Sequence, residues 1–174
     1  MKKNNNIDIL FDSDLIRENI KDITKNKKLK TEELRNSVLV LLKTVILNSK
    51  KESEKYLFSH GSGTRCARSF SSFQDEIIKI INDFAIFYIH KSQNPKKNER
   101  IAFVAVGGYG RGTLAPYSDI DLLFLYPDKL TPWGENVIEF TLYMLWDLGF
   151  KVGHATRNVD QSIHHAKSDF TIRT

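Results

Sequence analysis

The chain has 174 residues, with 26 Lys and Arg against 21 Asp and Glu and a formal charge of +5. That length suits one domain with its own core, and the single cysteine, Cys66, excludes an intrachain disulfide and a thiolate zinc cluster. No apolar run reaches membrane-spanning length, and the opening MKKNNNIDILFDSD carries acidic residues where a signal peptide needs an apolar core, so a cytoplasmic protein is expected.

Residues 1–30 read as a basic polar arm, disordered or solvated, built on Lys2, Lys3, Lys21, Lys25, Lys27, Lys28 and Lys30. Such a composition buries little surface, and a short helix near Ser13 to Ile20 is the only fixed element expected in it. A charge run of this kind is more often a solvated face than a nucleic-acid footprint, and no nucleic-acid partner is expected.

Residues 31–90 read as helical. Leu34, Val38, Leu41, Leu42, Val45 and Ile46 recur at three and four residues, Thr31 is the candidate N-cap, and Gly61-Ser62-Gly63 is the natural stop. GSGTRCAR lacks the Gly-Lys-Ser/Thr ending of a phosphate loop and reads as a connection. Ser71 or Ser72 is then the expected cap of a second helix, whose apolar face is Phe73, Ile77, Ile80, Ile81, Phe84 and Phe87. KSQNPKKNER, residues 91–100, is a loop by composition and the expected boundary.

The stretch from Ile101 to Tyr126, IAFVAVGGYGRGTLAPYSDIDLLFLY, carries the chemistry. An apolar strand meets a glycine-rich turn, and a second strand carries Asp119 and Asp121. Strand side chains alternate, so these carboxylates share one face while Ile120, Leu122 and Phe124 share the other. The turn is no dinucleotide fingerprint, because Pro116 interrupts the helix such a motif must open. Backbone N–H groups at Gly107 and Gly108 can face a phosphate, Arg111 can add charge, and paired carboxylates can hold a divalent ion: the needs of phosphoryl or nucleotidyl transfer. The plain alternative makes Asp119 a turn residue and Asp121 a solvent-facing edge residue. Against it, the run around Asp121 reads as a central strand, where a carboxylate needs a metal or basic partner.

Thr131-Pro132 has the order of an N-cap and first helical residue, with Trp133, Val137, Phe140, Met144 and Leu148 at helical spacing and a stop at Gly149. Phe150 to Thr156 reads as a third strand, and Asp160 as the cap of a last helix through Lys167. Thr174 follows what reads as the start of a helix, so the sequence is expected to be a segment of something longer.

GGYGRGTLAPYSDIDLLFLY closely resembles the nucleotidyltransferase motif of the bacterial uridylyltransferase/uridylyl-removing enzymes that modify the PII signalling protein, within the DNA polymerase beta-like nucleotidyltransferase superfamily. The GSG segment, the helix from Phe73, LGFKVGHATRNVDQSI and SDFTIRT look like the same enzymes, so the resemblance covers most of residues 31–174. It implies an α+β fold, with N-terminal helices followed by a small mixed-sheet nucleotidyltransferase core over residues 101–174, incomplete at its C-terminal end. It implies catalytic metal ligands at Asp119 and Asp121, triphosphate contacts at Gly107 and Gly108 with Arg111 and Ser118, and a site lined by Lys151, His154 and Arg157. His154 reads equally as a hydrogen-bonded fold residue.

The cofactor implied is Mg²⁺ or Mn²⁺, and the reaction is transfer of UMP from UTP to a tyrosine hydroxyl of the PII protein in the nitrogen-regulation system. Two departures stand out. The superfamily commonly uses a third carboxylate on a later strand, whereas residues 150–156 contain none. The family enzymes also continue into a helical region, a phosphohydrolase domain and sensing domains not visible here. The alternative expectation is a catalytically incomplete fragment acting only in docking.

Overall fold

A computed structural model describes residues 12–25, 29–91, 99–115 and 117–169. They form two compact units: the described residues up to Asp83 with Gly112–Ser118, and Phe84–Arg111 with the residues from Asp119 onward.

The first unit is helical. Helix α1, Ser13–Lys25, starts where the Asp12 carboxylate accepts the N–H groups of Asp14 and Leu15 at 3.0 Å each. Ile16 and Ile20, four residues apart, are buried, and the Arg17 guanidinium reaches Glu76 and Asp83, each at 3.4 Å. Structure thus extends past the expected Ile20, because this short apolar stripe finds a partner surface despite its polar surroundings. The remainder of the expected arm, residues 1–11 and 26–28, lies outside the described residues.

Helix α2, Thr31–His60, is capped one residue earlier than expected: the Lys30 N–H donates to the Glu33 carboxylate at 2.9 Å, making Thr31 the first helical residue. Val38, Leu42 and Ile46 are buried as the periodicity requires. Gly61 ends the helix at φ 67, donating its N–H to the Leu57 carbonyl at 2.8 Å.

Helix α3, Gly63–Phe84, corrects the expected start at Ser71 or Ser72. GSGTRCAR supplies its first turns, and Ser71 lies inside it. The Ser71 hydroxyl donates to the Ala67 carbonyl at 3.0 Å and accepts the Leu114 N–H at 2.8 Å. Serine offers the same oxygen to a cap or to a back-bond, so a cap motif inside a longer helix misleads. The stretch Gly112–Ser118 is held at Leu114, 3% exposed, and at Tyr117, whose ring centroid lies 5.1 Å from Lys50 Nζ.

The second unit contains a π-helical turn, Ala85–Ile89, and a three-stranded mixed sheet of β1, Ala102–Ala105, β2, Ile120–Tyr126, and β3, Val152–Asn158, in the order β1-β2-β3. Between β1 and β2 lies a single helical turn, α4, Gly107–Gly110. The β1–β2 pair is antiparallel and the β2–β3 pair parallel, the latter requiring a crossover, which is α5, Pro132–Asp147. β2 is therefore central, as its apolar run implied.

Ile120, Leu122 and Phe124 are at most 2% exposed. Burying each contributes roughly 1.5–3 kcal/mol, and a one-residue slip would exchange them for the carboxylate face, so this triplet fixes the register. Phe103 stacks edge-on against Phe124 at 4.9 Å, and α5 supplies Val137, Ile138, Leu142, Met144 and Leu145 to the core. The Thr131 hydroxyl accepts the Gly134 N–H at 3.2 Å, so Thr131-Pro132 opens α5 as read, and Gly149 closes it at φ 86. A final helix, α6, Val159–Ser168, is capped by Asn158 rather than Asp160: Asn158 and Gln161 satisfy each other's backbone N–H at 2.8 and 3.0 Å. The architecture is α+β, N-terminal helices followed by a small mixed-sheet nucleotidyltransferase-like core.

Candidate active site

The glycine turn and the carboxylate strand form one object. Val106 ends β1 in extended conformation and donates its N–H to the Asp121 carbonyl at 3.0 Å, while Gly110 donates to the Val106 carbonyl at 2.9 Å. Tyr109, 4% exposed, anchors the turn in the unit's interior. The sheet register thus delivers the chain into α4 directly beside Asp121.

Asp121 is the second residue of β2 and half-buried, on the face opposite Ile120 and Leu122. Its carboxylate lies between the turn α4 and the strand β3. A Cβ built on Gly107 would stand 2.9 Å from Asp121 Oδ2, and one built on Gly153 would stand 2.6 Å from Oδ1. Gly107 also adopts φ 58, which any other L-residue takes at a cost. Asp119, exposed, lies just before β2 on the same side by alternation.

Gly108 and Arg111 are also brought together: Arg111 Nη2 lies 3.8 Å from where a Gly108 Cβ would be. An exposed guanidinium therefore leans over a turn whose first N–H groups have no intrahelical acceptors. Lys151 sits on the carboxylate side of β3's approach. Its carbonyl accepts the Ile120 N–H at 2.8 Å, and the register extended by one residue pairs it with Asp119.

Other expected lining residues stand elsewhere. His154 pairs with Leu122, on the face away from Asp121, with ring contacts to Phe124 at 6.5 Å and to Trp146 of α5 at 6.1 Å. A parallel register puts paired side chains on one face, and Leu122 faces the core. His154 itself is exposed, and these ring contacts lie on the side of the sheet opposite Asp121. Arg157 shares the Asp121 face but pairs with Leu125, roughly 13 Å farther along the strand at 3.3 Å per residue. Ser118 is exposed and donates its N–H to the Ala115 carbonyl at 3.1 Å, within the stretch that groups with the helical unit.

Sequence reading missed Gly153. Its only signal was a glycine interrupting an apolar strand, which marks close approach of another group.

Among the described residues, no three or more His, Cys, Asp or Glu side chains gather into a metal-binding group. The two carboxylates still suit a hard cation that keeps several ligands from water and phosphate, since Mg²⁺ is commonly held by one or two protein carboxylates. The missing Cβ atoms of Gly107 and Gly153 leave the room that the Asp121 carboxylate oxygens occupy. The donor set fits.

A family model described as nucleotidyltransferase domain matches residues 88–170. That match takes in the whole sheet, the glycine turn and the carboxylate strand. Over 142 residues, 82% of this chain, it is 47% identical to the bifunctional uridylyltransferase/uridylyl-removing enzyme of Caulobacter vibrioides, in each of two strains. The chain spans 15% of the length of these relatives. No solved structure matches it. Among the described residues, no helix is long and apolar enough to cross a membrane.

Proposed function

We propose that this domain transfers UMP from UTP to a tyrosine hydroxyl of a PII signalling protein, in the cytoplasm, with Mg²⁺ or Mn²⁺ as cofactor. The observation that carries the reading is the placement of the Asp121 carboxylate between Gly107 and Gly153, beside the glycine-rich turn. Its support is the similarity to enzymes named as uridylyltransferases.

Asp119 and Asp121 would hold the cation, which when bound would supply charge neutralisation for the triphosphate and activation of the attacking hydroxyl. Gly107 and Gly108 N–H groups donate to the phosphates, and the Arg111 guanidinium adds charge-assisted hydrogen bonds. Lys151, beside Asp119 in the register, offers a further cation to the anionic substrate. The tyrosine oxygen attacks the α-phosphorus as the bond to the β-phosphate oxygen breaks, so pyrophosphate leaves and the hydroxyl proton passes to solvent or a nearby base. The chain's contribution is positioning and electrostatics, which is what this chemistry requires.

Calorimetric titration with UTP and Mg²⁺, beside ATP and the Asp119→Asn and Asp121→Asn variants, tests the reading. Selective UTP binding lost in both variants, followed by labelling of PII from radioactive UTP, is expected. A folded, monodisperse protein that binds no nucleotide would falsify it.

A further inference from the structure

A strand interior favours β-branched or aromatic residues, and glycine there weakens it. Position 153 nevertheless holds glycine, second in β3 and paired with Asp121 in the parallel register. Its backbone gives no reason for this, since Gly153 lies outside the positive-φ region that four other glycines occupy. Space does: the nearest atom to a Cβ at 153 is Asp121 Oδ1 at 2.6 Å, and the next is the same carboxyl's Cγ at 3.8 Å.

From this we infer that Gly153 is a positioning residue for the metal-binding carboxylate, an assignment that rests on the proposed function. Its missing side chain leaves room for the Asp121 carboxylate, one oxygen toward Gly153 and the other toward Gly107. The obstructing atom is the end of a rotatable side chain rather than backbone. A methyl group at 153 therefore displaces the carboxylate and leaves the strand in place.

Gly153 is a cleaner test than Gly107, where positive φ and close approach act together. Gly153→Ala is expected to keep or raise the melting temperature, to weaken Mg²⁺-dependent UTP binding at least about tenfold, and to shift the Mg²⁺ requirement upward. The crystal structure of Gly153→Ala should show the Asp121 carboxylate rotated away from position 153. An unmoved carboxylate or unchanged Mg²⁺-UTP affinity would overturn the assignment. A wild-type protein that binds no nucleotide sinks the proposed function instead. The structural arm, a rotated carboxylate at an undiminished melting temperature, judges the positioning role independently.

Discussion

Gly107 and Asp121 lie side by side: a side chain on the glycine would stand 2.9 Å from the carboxylate oxygen Oδ2. The glycine-rich turn and the strand that bears the carboxylate are thus packed as neighbours.

Asp121→Asn keeps the shape of the side chain and removes its charge. The fold should persist, while Mg²⁺-dependent transfer should drop on the order of 10²-fold or more, the scale on which loss of one preorganised electrostatic group acts. Steady-state labelling of PII from UTP, with circular dichroism as the control, checks this. Asp119→Asn is expected to act in the same direction.

Gly107→Ala meets two penalties, the φ of 58 and the 2.9 Å approach to Asp121. The left-handed backbone alone costs about 1–2 kcal/mol. Urea unfolding should report that loss, together with loss of nucleotide binding. Unchanged stability and binding would show that the turn takes another conformation.

The Arg111 guanidinium over Gly108 is read as a phosphate contact, and a charge-assisted hydrogen bond contributes roughly 1.5–3 kcal/mol. Arg111→Ala should therefore raise KM for UTP about tenfold to a hundredfold, with little change in melting temperature because the side chain is exposed. Arg111→Lys should recover only part, since the forked donor geometry is lost.

Ser71→Ala removes the acceptor of the buried Leu114 N–H, at 2.8 Å. Leaving a buried donor unpaired costs about 1–3 kcal/mol, so chemical denaturation should show a loss in that range. Hydrogen exchange at Leu114 should quicken in parallel.

Burial holds the His90 imidazole below its ordinary value. The unfolded chain then takes up the proton first. The stabilising contribution is complete above the ordinary histidine range and declines as pH falls through it. Melting temperatures measured from about pH 8 down to about pH 5 should fall, and His90→Phe should remove part of the slope.

Much of this arrangement was legible in the chain. Alternation put Ile120, Leu122 and Phe124 on one face and Asp121 on the other, since a strand has a fixed two-residue period and only one face here is apolar. Thr131-Pro132 and Gly149 bounded α5, and Gly61 ended α2, because each carries a backbone preference that acts locally. The errors were local too. Ser71 looks like a cap until the helix is seen to start at Gly63, and Asn158 wins the cap of α6 from Asp160 because its side chain and Gln161 can reciprocate.

The sequence by itself determined most of the elements and what they carry: paired carboxylates at a two-residue interval, a glycine-rich turn, and a core-facing triplet that fixes register. These follow from periodicity and backbone preference, which act within a few residues. Only the tertiary structure decided which distant residues meet. It put Gly153 against Asp121, turned His154 toward Trp146 and the core side, and left Arg157 far along the strand. Such pairings depend on strand register across a crossover helix, and no interval in the chain records them.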